Sequence, residues 1–216
     1  MWILFQHELK YYIKNFKEAI YLYSYYISII LLIPFAVTAE IAASSALPIP
    51  SLWVALASGA AIGAQQLFRR DEEAGLLSYY QLLPLKLEWV IAGKWLAFFV
   101  FLLIPVLACL PIAGFMMDLS IQQLSRCAIG LTAGALGLTV LATLSASLLV
   151  GLEKAGALLS LIILPLCIPI LIFGSEYCRM DASGNASSNL IMLIGFSCFM
   201  LPVMCLAGAA SIRASH

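Results

Sequence analysis

The sequence has little charge, and this absence decides its class. Asp, Glu, Lys and Arg make up only 10% of the 216 residues, whereas 63% are hydrophobic. Soluble domains carry about a quarter charged residues. Eleven basic and eleven acidic side chains give a formal net charge of zero, so there is no basic surplus for nucleic acid. We therefore interpret the chain as an integral membrane protein with no nucleic-acid partner.

Several chemical motifs are also missing. The chain has no GxxxxGK[ST] stretch, the loop that cradles nucleotide phosphates. Its six cysteines form no CxxC and no cluster with the two histidines at metal-ligand spacing. We expect no metal or cofactor site and interpret the cysteines as small apolar side chains, with Cys178 towards the outer side and lacking an evident disulfide partner. The long apolar runs hold essentially no ionisable residue at mid-membrane depth, which argues against an intramembrane enzyme.

The chain does have six long uncharged runs, over residues 19–39, 41–68, 95–117, 127–152, 155–175 and 182–212. Each reaches the ~20 residues that cross ~30 Å of hydrocarbon. Backbone in lipid must pair within its own segment, so these runs are predicted to be helices. The prediction is an all-α integral membrane protein, with residues 1–216 forming a single domain of six transmembrane helices.

The positions of the basic residues predict the orientation of these spans. With the N-terminus inside, nine Lys and Arg residues fall on the cytoplasmic side and only Arg126 and Arg179 fall outside. Basic residues in short loops resist translocation, so both termini are predicted to be cytoplasmic. The nine are Lys10, Lys14, Lys17, Arg69, Arg70, Lys86, Lys94, Lys154 and Arg213.

Residues 1–18 have a helical pattern of their own. Apolar side chains recur at spacings of three and four, and His7, Lys10, Lys14 and Lys17 occupy the opposite face. This pattern predicts an amphipathic elbow helix that lies in the membrane interface. A cleaved signal peptide is a poorer interpretation, because the leading region is long and carries Glu8 and Glu18.

Three features inside or beside the runs carry local predictions. The small-residue spacings of Gly59–Gly63 and Gly130–Gly134 favour close helix packing. Pro165 and Pro169 each remove a backbone donor, so the fifth span is expected to kink or unwind. Trp89 and Trp95, near basic residues, are interpreted as anchors in the membrane interface.

One segment, residues 69–94, collects eight of the twenty-two charged side chains and connects spans two and three on the predicted cytoplasmic face. We predict a short helix there. Asp71 would cap its N-terminus, Glu72 would lie in the first turn, and Pro84 would end it near Leu83.

The predicted helix has an apolar ridge of Leu76, Tyr80 and Leu83 with Leu77 beside it, and Gly75 would give close access to another backbone. Two interpretations remain open. Either the helix receives force from a soluble partner, or it packs on its own bundle and keeps charge in water.

Two stretches carry a family resemblance. "FRRDEEAGLLSYYQLLPL" (68–85) and "GLEKAGALLSLIILPLCIPILIFG" (151–174) resemble the CcmB family, the membrane permease of the ABC-type haem exporter of cytochrome c maturation. That family belongs to the six-span ABC-2 permease class. The resemblance implies a multi-pass protein of the bacterial inner membrane, or of the equivalent mitochondrial membrane.

The resemblance also implies partners. They are a CcmA-type ATPase, CcmC- and CcmD-type membrane subunits and a CcmE-type haem chaperone. ATP hydrolysis by the partner would drive haem export or release of the haem-loaded chaperone, so haem is a candidate cargo, and no cofactor is assigned to this chain. A generic ABC-2 exporter for a lipid-like or drug-like substrate is the alternative. A purely structural scaffold also stays open.

Ten residues are implied to couple the permease to the ATPase. The ABC-2 pattern commonly has glutamate where Ser78 stands, so we interpret Asp71, Glu72 or Glu73 as the source of that charge here. The first group is Asp71, Glu72, Gly75, Leu77, Tyr80, Leu83 and Pro84, and the second is Glu153, Lys154 and Gly156.

Overall fold

The computed structural model describes residues 6, 8, 10, 12, 24–29, 32, 48–76, 87–116, 119–150, 155–179 and 186–214, and it is helical throughout these elements with no strand among them. Residues 24–29 form a short helical stretch. The longer elements are α1 (Pro48–Leu67), α2 (Arg69–Glu73), α3 (Leu87–Met116), α4 (Ile121–Leu148), α5 (Ala155–Arg179) and α6 (Ala186–Ala214).

The predicted all-helical membrane class is confirmed. In the described ranges, four helical stretches are long and apolar enough to cross a membrane, and they correspond to α1 together with α2, and to α3, α4 and α6. With 25 residues, α5 is also about 37 Å long at the α-helical rise. Most of the first predicted run, 19–39, lies outside the described residues, so the count of six spans stays a prediction.

α4 is the central helix of the bundle, packing against α1, α3, α5 and α6. It begins at Ile121, not at Cys127 as predicted, because Ser120 and Gln123 form a reciprocal capping box. Buried Thr139 and Thr143 donate their hydroxyl hydrogens to the carbonyl oxygens four residues earlier, at 2.7 and 2.8 Å. These polar groups are therefore satisfied within the helix itself.

A tryptophan fills the space that two glycines leave between α1, α4 and α5. A Cβ atom at Gly134 would lie 2.2 Å from Cζ3 of Trp53, and one at Gly174 would lie 2.1 Å from its Cη2. Real Cβ atoms do not approach so closely. The close packing predicted over Gly130–Gly134 is confirmed at Gly134, where α4 receives an indole ring from α1. We call Trp53, Gly134 and Gly174 the Trp53 joint.

Both prolines of α5 lie within an unbroken helix, Ala155–Arg179, so the predicted local unwinding is wrong, and a bend stays a prediction. Pro165 and Pro169 share an exposed face with Leu161, Ile168 and their neighbours. The helix buries the other side, through Ile163, Cys167 and Ile170.

Two side chains predicted to lie at surfaces are buried. Trp95 is 8% exposed, and its indole Nε1 donates a hydrogen bond to Oγ1 of Thr139 at 3.1 Å. Its assignment as an interfacial anchor is therefore wrong, whereas Trp89, at 51% exposure, stays compatible with that role. Cys178 is also buried. It lies in the last turn of α5, which extends four residues beyond the predicted limit of 175.

Candidate functional site: the charged end of the bundle

Both terminal segments of the chain meet the first turns of α3. Glu8, from the leading segment, binds Nζ of Lys94 through Oε1 at 2.7 Å. Arg213, in the last turn of α6, binds Oε1 of Glu88 through Nη2 at 2.8 Å. The two segments therefore lie at the same end of the bundle, which is compatible with the predicted even number of spans.

Lys94 is the centre of this charged end. Its side chain is only 3% exposed and binds a second carboxylate, Oδ2 of Asp71, at 2.8 Å. The ammonium also lies 5.9 Å from the centre of the Phe68 ring. A buried ammonium needs such partners, because removing it from water costs several kcal/mol. We call Glu8, Asp71 and Lys94 the Lys94 cluster; it joins the leading segment, α2 and α3.

Asp71 has a different place from the one predicted. α2 begins at Arg69, so Asp71 lies inside the helix and does not cap it, and the residue is only 7% exposed. The neighbouring Glu72 and Glu73 are exposed, and Glu73 accepts a hydrogen bond from Nε of Arg69 at 2.8 Å. α2 therefore directs one carboxylate into the bundle and presents two on its surface.

Gly75 ends this first helical turn. Its φ of 67° is left-handed, a region that glycine adopts without the steric cost of a Cβ. Its amide donates to the carbonyl oxygen of Glu72 at 3.0 Å. The predicted uninterrupted helix over 71–83 is therefore wrong at Gly75. No described atom lies within 4 Å of a Cβ built there, and Leu76 is 39% exposed, so close access to another backbone stays a prediction.

The remaining predicted coupling residues are mostly beyond what the structure covers. Leu77, Tyr80, Leu83, Pro84, Glu153 and Lys154 lie outside the described residues. Gly156 is in the first turn of α5. A Cβ at Gly208 of α6 would meet both Ser147 of α4 and Ile91 of α3, so the last turn of α4 lies at the charged end. Their coupling role stays a prediction.

Sequence reasoning missed Lys94 as a site residue. It assigned the whole of 69–94 to the cytoplasmic coupling segment between spans two and three, but α3 begins at Leu87 and includes both Glu88 and Lys94. The spans were predicted to end at each charged residue. That rule fails for Lys94, because its charge is paired inside the bundle. The available signal was the apolar context "WVIAGKWLAFFV" (89–100), in which Lys94 stands alone.

Apolar helices gathered into a bundle, with buried ion pairs at one end, define an all-helical integral membrane protein. The CcmB protein family model matches residues 1–215, and the chain belongs to this family.

Characterised relatives agree with that assignment. The chain is 32% identical over 193 residues to heme exporter protein B of Rhodobacter capsulatus, covering 88% of each chain. It is 30% identical over 191 residues to the protein of the same name from Paracoccus denitrificans, again covering 88% of each. For the Escherichia coli K12 protein the identity is 29%, over 84% of this chain and 82% of the relative.

Proposed function

We propose that this chain is the membrane permease subunit of an ABC-type system acting in cytochrome c maturation. It couples ATP hydrolysis by a partner to haem export or to release of a haem-loaded chaperone. The observation that carries the proposal is the family match over residues 1–215, together with relatives named heme exporter protein B. The sequence has no phosphate-binding loop of its own, which fits a subunit driven by a separate ATPase.

The proposed architecture is a single permease domain of the ABC-2 class, residues 1–216, with six spans in the inner membrane and both termini cytoplasmic. The contacts of Glu8 and Arg213 with the start of α3 support a common side for the two terminal segments. The excess of basic residues in the segments assigned to that side supports its being the cytoplasmic one.

The proposed docking surface for a CcmA-type ATPase is the exposed side of α2 and the residues that follow it. Glu72, Glu73 and Leu76 are exposed there. Behind them, Asp71 holds α2 to α3 through Lys94, and Lys94 holds Glu8. A push on α2 would therefore reach α3 and the leading segment through buried ion pairs. CcmC- and CcmD-type subunits and a CcmE-type chaperone complete the proposed assembly.

Deleting this protein from its host and measuring covalent haem attachment to c-type cytochromes tests the function. We expect attached haem to be lost and to return with a plasmid copy of the chain. Normal cytochromes in the deletion strain would contradict the proposal and favour an exporter for another substrate.

The docking surface is tested by apolar-to-acidic substitutions, with the same kind of substitution at an exposed site elsewhere on the bundle as control. Leu76→Asp and Leu77→Asp are expected to abolish co-purification of the ATPase while leaving membrane insertion intact. Ile121→Asp is the control, because Ile121 is 86% exposed and begins α4 at the opposite end of the bundle. Equal ATPase recovery from all three variants would contradict docking on this surface.

A further inference from the structure

Two of the six cysteines meet where α4 and α5 pack at the end opposite the Lys94 cluster. Cys127, near the start of α4, is fully buried, and Cys178, the penultimate residue of α5, is 1% exposed. Their side chains are hydrogen-bonded to each other. The two thiols are therefore neighbours although 51 positions separate them in the sequence.

The packing around the pair supports this contact independently. Sγ of Cys178 lies 3.0 Å from the position of a Cβ built on Gly130. Gly130 is three residues after Cys127, so both belong to the same face of α4. A glycine at 130 therefore leaves Cys178 the room to reach the face of α4 that carries Cys127.

The location of the pair decides its chemistry. Arg126 and Arg179, the two basic residues assigned to the outer side, are its sequence neighbours. In the proposed orientation this end of the bundle faces the periplasm, where protein thiols persist as disulfides. The other four cysteines, Cys109, Cys167, Cys198 and Cys205, lie elsewhere on α3, α5 and α6.

We propose that Cys127 and Cys178 form a disulfide that fastens the outer end of α4 to the outer end of α5. This proposal rests on the proposed orientation. The oxidant is the disulfide of a thiol oxidoreductase. One cysteine thiolate attacks that disulfide, a mixed disulfide forms, and the second thiolate displaces the reduced oxidant. The disulfide of the oxidant is reduced by the two electrons that the cysteine pair loses. The oxidant leaves as a dithiol that carries the two protons.

Burial of both sulfur atoms places this reaction before the helices finish packing, because an oxidoreductase cannot reach them afterwards. It also predicts that the bond is formed during membrane insertion and retained in the isolated protein. The state of the pair is therefore readable by counting thiols in freshly isolated membranes.

The experiment is thiol counting with a maleimide-linked polyethylene glycol after acid quenching and denaturation in SDS. Without reductant, four of the six cysteines should react, and six should react after reduction. Cys127→Ser and Cys178→Ser should each give five with and without reductant. Cys167→Ser is the control and should keep the difference of two, with three before reduction and five after. Six reactive thiols in the unreduced protein would overturn the proposal.

The same membranes separate this proposal from the proposed orientation. The thiol count shows whether the disulfide is present. Labelling of an exposed Glu73→Cys with an impermeant reagent shows which side of the membrane the charged end faces. A charged end on the cytoplasmic side with six free thiols would overturn the disulfide alone.

Discussion

The Lys94 cluster and the Trp53 joint hold neighbouring helices together by different physical means. At the charged end, a buried ammonium binds two carboxylates at 2.7 and 2.8 Å, which joins three segments. In the joint, an indole ring occupies space that only glycine leaves free on α4 and α5. One contact is directional and ionic, and the other is the close packing of a ring against two glycines.

The difference bears on which part of the bundle moves. In the proposed assembly, the ion pairs of the Lys94 cluster would give a docked ATPase a reversible contact to act on, because ion pairs can exchange partners. A ring enclosed by two glycines has no second arrangement without repacking, because protein interiors are close-packed. We interpret the Trp53 joint as the rigid part of the bundle and the Lys94 cluster as the adjustable part.

The largest effect is expected at Lys94. Lys94→Met leaves the carboxylates of Glu8 and Asp71 close together without their cation, and breaking a buried pair in this way costs about 3–5 kcal/mol. The measurement is the free energy of unfolding in mixed detergent micelles titrated with SDS. Lys10→Met is the matched control, because Lys10 is exposed. Equal stability of the two variants would contradict a structural role for the cluster.

The next largest effect is expected in the Trp53 joint. Gly134→Ala and Gly174→Ala each place a methyl group against the indole, and such overpacking costs about 1–3 kcal/mol. Thermal unfolding followed by size-exclusion chromatography measures the loss.

Gly195→Ala is the control for the joint, since no described atom outside its own stretch of helix lies within 4 Å of a Cβ built there. In a double-mutant cycle with Trp53→Ala, each glycine substitution should lose most of its destabilising effect, because the indole ring is what the new methyl group meets. Purely additive effects would mean that the indole is not the obstacle.

The smallest effect is expected at the exposed ion pair. Arg213→Gln removes the contact with Glu88, but the Arg213 side chain is 57% exposed, and ion pairs of this kind are worth about 0–1 kcal/mol. The same SDS titration at low and high salt measures it. A loss as large as that of Lys94→Met would remove the distinction between buried and surface charges at this end.

Composition was enough to predict the helical membrane class, because runs of about 20 uncharged residues have few alternatives in lipid. The glycine pattern at 130–134 predicted close packing, but the partner of Gly134 came from α1, some 80 residues earlier in the chain. A single sequence carries no signal for such a long-range contact.

The site was harder to predict than the fold. Charge and turn chemistry mark Asp71 and Gly75 locally, but the predicted helix cap at Asp71 and the predicted continuous helix through Gly75 were wrong. Whether a carboxylate caps a helix or turns inward depends on Lys94, 23 residues further along. Glycine inside an apparent helix is also compatible with both a helical and a left-handed backbone, and only the observed φ distinguishes them.

The most direct test of the central claim asks which side of the membrane the end bearing α2 faces. Glu73→Cys introduces a thiol on the exposed surface of α2, to be probed with a charged, membrane-impermeant maleimide. Labelling above that of the parent chain is expected in inside-out vesicles and not in intact spheroplasts. Labelling from the outside of spheroplasts would contradict a cytoplasmic motor acting on the Lys94 cluster.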